Sequence, residues 1–270
     1  MNPKLSFSIA CCLAVAAGAA AAAKPGVADT DDPSHASVLQ EMRSEARMLT
    51  AAVSGGDVGE VDSFGRPVKY MGRAQTSIVS AEPDCTPDPS NPPSKNDRCV
   101  TLLPQPQTTS VHEINLAALH LPAGASHSLV CYDLTPFIAY HSINNTSTPT
   151  SSRYTFLAEV VVKNDVLKDP ALIDPTTGAP FNGQLTVTFS LFDDRREFHA
   201  GEQAFKTLRL SRSCGTGLIS KDLLKNVYGL NDLQATRFFT GAIDLSFGAI
   251  EFLKLQDDVN IFYDVRLYGD

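Results

Sequence analysis

The chain has 270 residues, a net charge of −8 at pH 7 and 43% hydrophobic residues. Its 22 Lys and Arg residues form no basic block, so a role in binding nucleic acid has no electrostatic support. Trp is absent, which argues against a sugar-binding surface built on stacked indole rings.

Residues 1–23 have the pattern of a secretory signal peptide. Lys4 supplies a positive start, residues 5–20 are mostly apolar, and Ala21, Ala22 and Ala23 offer small side chains for cleavage. The apolar run is rich in Ala and Gly and lies close to the lower length limit of a membrane span, about 17 residues. We therefore expect cleavage, export to the periplasm or the extracellular space, and no transmembrane anchor in the mature chain.

Residues 24–56 are predicted to form a flexible leader and one amphipathic helix. Ser34 stands where a helix N-cap is expected, and Gly55 and Gly56 provide a stop. Between them the apolar residues recur at helical spacing: Val38, Met42, Ala46, Leu49 and Val53. Two interpretations remain open. The helix covers an edge or a face of a sheet, or it binds a partner or mediates oligomerisation.

Residues 57–270 are predicted to form one disulfide-stabilised β domain. Four cysteines remain after cleavage, Cys85, Cys99, Cys131 and Cys214, and an even number in an exported chain indicates two disulfides. Of the three pairings, we favour Cys85–Cys99, which closes a loop rich in Pro and Asp, and Cys131–Cys214, which would join two strands. A zinc site of four cysteines is disfavoured because paired C-x-x-C spacings are missing.

Alternating apolar and polar residues predict strands through most of this domain. The run from Tyr154 to Val162 is one strand, and Gly183 to Cys214 is predicted to be an antiparallel hairpin with a charged tip at residues 193–197. Three further strands are predicted at 242–247, 249–255 and 259–268. In the last, one face carries the apolar residues Ile261, Tyr263, Val265 and Leu267.

A small helical insert interrupts the strands near the end of the chain. Ser220 is predicted to cap a helix over residues 221–228, and Asn231 a second helix that ends at Gly241. Short strands with few helices favour an antiparallel sheet over a parallel one. The predicted fold is mainly β: an antiparallel β-sandwich with an N-terminal amphipathic helix and a small helical insert.

Motifs for chemistry are sparse. No G-x-S-x-G elbow or phosphate loop occurs, and no pair of histidines has the spacing that would place both rings on one face of a strand or helix. The strongest hypothesis for an ion is calcium, held by Asp165, Asp169 and Asp174 in a long polar connection. The same aspartates are also ordinary turn-forming residues.

These patterns favour a non-enzymatic function. We expect an exported interaction or structural protein whose partner is an unknown protein or surface. The alternative is a secreted hydrolase with a site built from loops, for which residues 127–141 and 165–174 are the candidates. An enzyme requires a pocket with converging titratable groups, whereas a binding module requires an exposed apolar patch or an open sheet edge.

Overall fold

A computed structural model describes residues 42, 61–63, 66–87, 89, 92–212 and 219–270 of the chain. The predicted signal peptide and most of the predicted leader and helix lie outside these residues. The described part is mainly β. Its strands are β1 (Val61–Ser63), β2 (Arg66–Gln75), β3 (Val79–Glu82), β4 (Arg98–Thr101), β5 (Thr108–Leu121), β6 (Leu129–Ile143), β7 (Thr150–Lys163), β8 (Gln184–Phe198), β9 (Gln203–Arg209), β10 (Ile219–Ser220), β11 (Ile243–Lys254) and β12 (Gln256–Gly269).

The strands form two sheets. In the larger sheet, β12 lies at the centre, with β6 along one side and β2 and β3 along the other. β1 and β4 extend this sheet beyond β2 and β3, while β9 and β10 pair with the far side of β6. The smaller sheet has the order β5-β11-β7-β8. All described strand pairs are antiparallel except β3–β4, which is parallel.

One hydrophobic core receives side chains from both sheets. The predicted inner face of the last strand is confirmed, because Ile261, Tyr263, Val265 and Leu267 are all buried there. Side chains of a strand point alternately to its two faces, so these four residues share one face of β12. β7 contributes a matching set from the smaller sheet: Tyr154, Phe156, Ala158, Val160 and Val162.

A carboxyl group also lies inside this core. Glu251 on β11 is fully buried, and its neighbours in the register, Phe156 on β7 and Val111 on β5, are core residues. Neither carboxyl oxygen has a hydrogen-bond partner of good geometry among the described residues. Burial raises the pKa of Glu251 to about 8; the nearby Tyr154 hydroxyl opposes this rise and the Glu113 carboxylate adds to it. The Glu251 carboxyl is therefore mostly neutral at pH 7.

The predicted hairpin over residues 183–214 is wrong. β8 pairs with β7 in the smaller sheet, whereas β9 pairs with β6 in the larger one, so the connection passes from one sheet to the other. The charged residues 193–197 lie within β8, opposite residues 151–155 of β7. Alternation identifies a strand and its two faces, but it does not identify the strand beside it.

The predicted break between residues 242–247 and 249–255 is also wrong. β11 continues through Gly248, with a register shift against β5 between Phe247 and Ala249. A Cβ atom on Gly248 would lie 2.6 Å from the backbone oxygen of Glu113, so only glycine permits this close approach of the two strands.

The small helical insert is confirmed. Helix α1 (Lys221–Asn226) begins after Ser220, whose side chain accepts a hydrogen bond from the amide of Leu223. Helix α2 (Asp232–Thr240) begins after Asn231, which forms a capping box with Gln234. Of the helices in the described part of the chain, none has the length and apolar character needed to cross a membrane.

The disulfide between Cys85 and Cys99 is confirmed, with the two Cα atoms 5.7 Å apart. It joins the segment after β3 to β4, which lies parallel to β3 at the edge of the larger sheet. Cys131 on β6 is also disulfide-bonded. Cys214 lies outside the described residues, so the Cys131–Cys214 pairing stays a prediction.

Replacing both cysteines of the first disulfide, Cys85→Ser with Cys99→Ser, is expected to destabilise the protein. A closed loop of about 15 residues contributes about 3 kcal/mol through the lost entropy of the unfolded chain. Urea denaturation of the oxidised protein measures the difference in the free energy of unfolding. Lys95→Ser, an exposed change inside the same loop, is the control. A loss below about 1 kcal/mol would mean that the loop is held by other contacts.

Candidate binding groove

The larger sheet carries an apolar patch on the face turned away from the core. Alternation places Phe137 and Phe262 opposite to their core neighbours Ile138 and Ile261. The two phenylalanines are nevertheless buried, with 3% and 2% of their surface exposed, and their ring centroids are 5.7 Å apart. They belong to a second buried cluster, which is separate from the core: Met42, Ile78, Phe137, Ala139 and Phe262.

Met42 packs on this patch from outside the sheet. It is helical and fully buried, and it is one of the residues that the sequence places on the apolar face of the N-terminal helix. Whether the rest of that segment covers this sheet face stays a prediction. The remaining residues of the predicted helix lie outside the described part of the chain.

A pocket of about 310 Å³ opens beside the two phenylalanines. Its residues come from β6, β9, β12 and the segment that follows β9. We call it the outer groove, and it is lined by Thr135, Pro136, Phe137, Arg209, Leu210, Ser211, Phe262, Asp264 and Arg266. The groove follows from strand pairing, because β6 lies between β12 and β9 and brings Phe137 opposite both Phe262 and Arg209.

A buried carboxylate stands at one end of the outer groove. Asp264 on β12 is 2% exposed, and its carboxylate lies 2.5 Å from Nε of Arg73 on β2. Nε of Arg266 approaches the second carboxylate oxygen at 3.6 Å. Both oxygens of the Asp264 carboxylate therefore face a guanidinium group.

The opposite side of the outer groove combines an aromatic ring with a cation. The guanidinium carbon of Arg209 lies 4.5 Å from the ring centroid of Phe137, within the range of a cation–π contact. The charged residues in the described lining are Arg209, Arg266 and Asp264, so two positive charges and one negative charge face the groove. A ligand with an apolar group and a negative charge fits this combination.

The described lining of the groove offers few groups for hydrolysis. Among the described residues, it contains the hydroxyls of Thr135 and Ser211 but no His, Cys or Lys. Asp264, the one carboxylate among these residues, is engaged by arginines. A hydroxyl nucleophile requires an adjacent general base, and the described lining residues supply none besides this engaged carboxylate. The arrangement is suited to holding a ligand.

The structure places the predicted calcium ligands at separate turns. Asp165 is 93% exposed and forms an ion pair with Lys168 at 2.7 Å. Asp169 and Asp174 each accept a hydrogen bond from the backbone amide two residues later. Within residues 61–63, 66–87, 89, 92–212 and 219–270, no three His, Cys, Asp or Glu side chains are grouped so that they could hold a metal ion. The calcium hypothesis thus gains no support from the arrangement of these side chains.

Of the two regions proposed for a hydrolase site, residues 127–141 contribute Thr135, Pro136 and Phe137 to the described lining of the outer groove. Among the described lining residues, neither region contributes a histidine or an aspartate. The imidazole rings of three histidines contact separate acidic residues: His112 with Glu159, His120 with Asp244 and His141 with Asp257. The backbone amide of His127 donates a hydrogen bond to the carboxylate of Asp270.

Apart from Thr135, Pro136 and Phe137, the residues of the outer groove lie outside the regions that the sequence analysis proposed for a site. One signal was present: in the last strand, Phe262 is apolar although it stands on the face opposite to Ile261, Tyr263, Val265 and Leu267. An apolar residue in that phase indicates a covered face. The partners of Phe262 come from strands far away in the sequence, so no local pattern reveals them.

Comparison with known proteins adds no relative from which a ligand could be inferred. No protein-family model matches the chain. A search of the curated proteins finds no match either.

Proposed function

We propose that the chain is an exported, non-enzymatic interaction protein that binds an unknown protein or surface partner through the outer groove. In this proposal the fold is an antiparallel β-sandwich, and the N-terminal amphipathic helix lies on its outer face. Export rests on the signal-like pattern of residues 1–23 and agrees with the Cys85–Cys99 disulfide, since disulfides persist mainly in oxidising compartments.

The proposal rests on one observation: the outer groove combines aromatic side chains at its base with arginine side chains at its border. Phe137 and Phe262 form the floor, while Arg209 and Arg266 supply positive charge at the rim. Aromatic and arginine side chains are the types most enriched where binding energy concentrates in protein interfaces. A partner that presents an apolar side chain next to a carboxylate would meet both features.

Site-specific crosslinking tests this proposal. A photoreactive phenylalanine analogue at Ser211, in the groove lining, is expected to yield a discrete adduct with the extracellular fraction of the native cells. The same analogue at Leu233 on α2, which is 59% exposed and outside the groove, is the matched control. Reversing the rim charge with Arg209→Glu and Arg266→Glu should reduce the adduct about tenfold.

Two results would contradict the proposal. One is an adduct of equal yield at Leu233, or one that the charge reversal leaves unchanged, because the contact would then not depend on the groove. The other is turnover of ester, glycoside or peptide substrates by the purified chain, which would favour the hydrolase alternative.

A further inference from the structure

The first half of β8 lacks the charges and prolines that edge strands normally carry. In the described part of the chain, β8 is the last strand of the smaller sheet and pairs only with β7. Residues 184–190 contain no Lys, Arg, Asp, Glu, Pro or Gly. Natural sheets usually shield such an edge with charges, prolines or bulges, because its backbone groups are a template for another strand.

The second half of β8 is shielded, in contrast. It contains the charged residues 193–197, and Asp194 on its inner face forms an ion pair with Lys206 of β9 at 2.6 Å. The backbone oxygen of Leu191 accepts a hydrogen bond from Arg212. Among the described residues, no ion pair or hydrogen bond of this kind covers residues 184–190, so this part of the edge is where a further strand would pair.

We propose that a second copy of this chain pairs with this edge, so that the two β8 strands run antiparallel about a two-fold axis through Val187. This register places Thr186 opposite Thr188 of the partner and Gln184 opposite Ser190, all with exposed side chains on the outer face. Cross-strand pairs of hydroxyl and amide side chains stabilise antiparallel ladders. The sequence is thus self-complementary, as a two-fold interface requires.

The inner face of the same edge supports this pairing. Val187 and Phe189 belong to the core but remain partly exposed where the smaller sheet ends. The Phe189 ring stacks on the Tyr132 ring with centroids 5.2 Å apart. This contact within the chain already orients the Phe189 side chain in the absence of a partner. In the proposed register Val187 meets its own copy and Phe189 meets Leu185, which extends the apolar core across the axis.

Sedimentation velocity of the full mature chain tests this assignment through a pair of matched variants. Thr186→Lys with Thr188→Lys places four lysines around the axis and is expected to convert the dimer to a monomer. Thr186→Lys with Thr188→Glu places each lysine opposite a glutamate of the partner, keeps the net charge, and is expected to retain the dimer. Both positions are exposed, so the fold should be preserved, which circular dichroism and the melting temperature verify.

The charge of the chain sharpens the comparison. The two added lysines make the acidic chain less negative, so the overall electrostatic repulsion between two copies decreases. Loss of the dimer would therefore come from repulsion between lysines at the β8 edge. A wild-type chain that sediments as a monomer at about 100 µM would overturn the proposal, since even weak strand pairing should be visible there. Equal dissociation of the two variants would overturn the proposed register.

Discussion

Replacing Glu251 with glutamine, Glu251→Gln, is expected to make the protein more stable than the wild type at alkaline pH and to leave it nearly unchanged near pH 5. The side chain lies in the centre of the core, with no hydrogen-bond partner of good geometry for either oxygen among the described residues. Burial holds its pKa at about 8, far above the ordinary value of 4.5. Glutamine has nearly the same shape and does not titrate.

The sign of the pH dependence follows from which state holds the proton. Below about pH 4.5 the carboxyl is protonated in both the folded and the unfolded chain. Between about 4.5 and 8 the folded chain keeps the proton and the unfolded chain releases it, so the free energy of unfolding falls by about 1.4 kcal/mol per pH unit. The loss is complete above the folded pKa and amounts to about 5 kcal/mol.

Urea denaturation between pH 5 and 9, followed by circular dichroism, measures this effect as the difference between variant and wild type. Other titrating groups contribute equally to both proteins and cancel in that difference. The exposed Glu197→Gln is the matched control, and its stability should run parallel to that of the wild type. If the Glu251→Gln curve were also parallel, the buried carboxyl would be ionised in the folded protein and the argument from burial would fail.

Replacing Asp264 with alanine, Asp264→Ala, is expected to lower the free energy of unfolding by about 3–4 kcal/mol. The Asp264 carboxylate is 2.5 Å from Nε of Arg73, and the two side chains are only 3% and 11% exposed. Removal of the carboxylate takes this counter-charge away from a largely buried guanidinium. An unpaired buried charge costs far more than the loss of an exposed ion pair.

Removing both charges separates this effect from a loss of packing. Arg73→Met combined with Asp264→Leu should recover most of the stability, because an apolar pair avoids the unpaired charge. Arg266→Ala is the control for an exposed partner: its side chain is 46% exposed, and the change should cost no more than about 1 kcal/mol. A cost of Asp264→Ala as small as that of Arg266→Ala would mean that water screens the buried pair.

Local rules in the sequence determined several features directly. Helix capping at Ser220 and Asn231 was predicted because a cap depends on residues within one turn. The inner face of β12 was predicted because alternation in a strand is a local property. The Cys85–Cys99 pairing was also a local inference, since the two residues flank a short loop.

Only the tertiary structure decided which strands lie side by side. β8 and β9 both have the alternation of a hairpin, yet each pairs with a strand from elsewhere in the chain. Residues 242–268 likewise were predicted as three strands and form two long ones, β11 and β12, because Gly248 permits a close approach to β5. Which strands pair depends on segments far apart in the sequence that could each pair with the same strand edge. A short stretch of sequence does not contain all of these segments, so it cannot decide between them.

The same limit applies to the outer groove and to Glu251. The sequence determined that Phe262 and Asp264 share one face of a strand, but Phe262 is buried there in a cluster with Met42, which lies more than two hundred residues away. The side chain of Glu251 lies on the inner face of β11. Water is excluded from its carboxyl only because the larger sheet packs on that face. Alternation assigns a side chain to a face, whereas burial and charge state are set by what packs against that face.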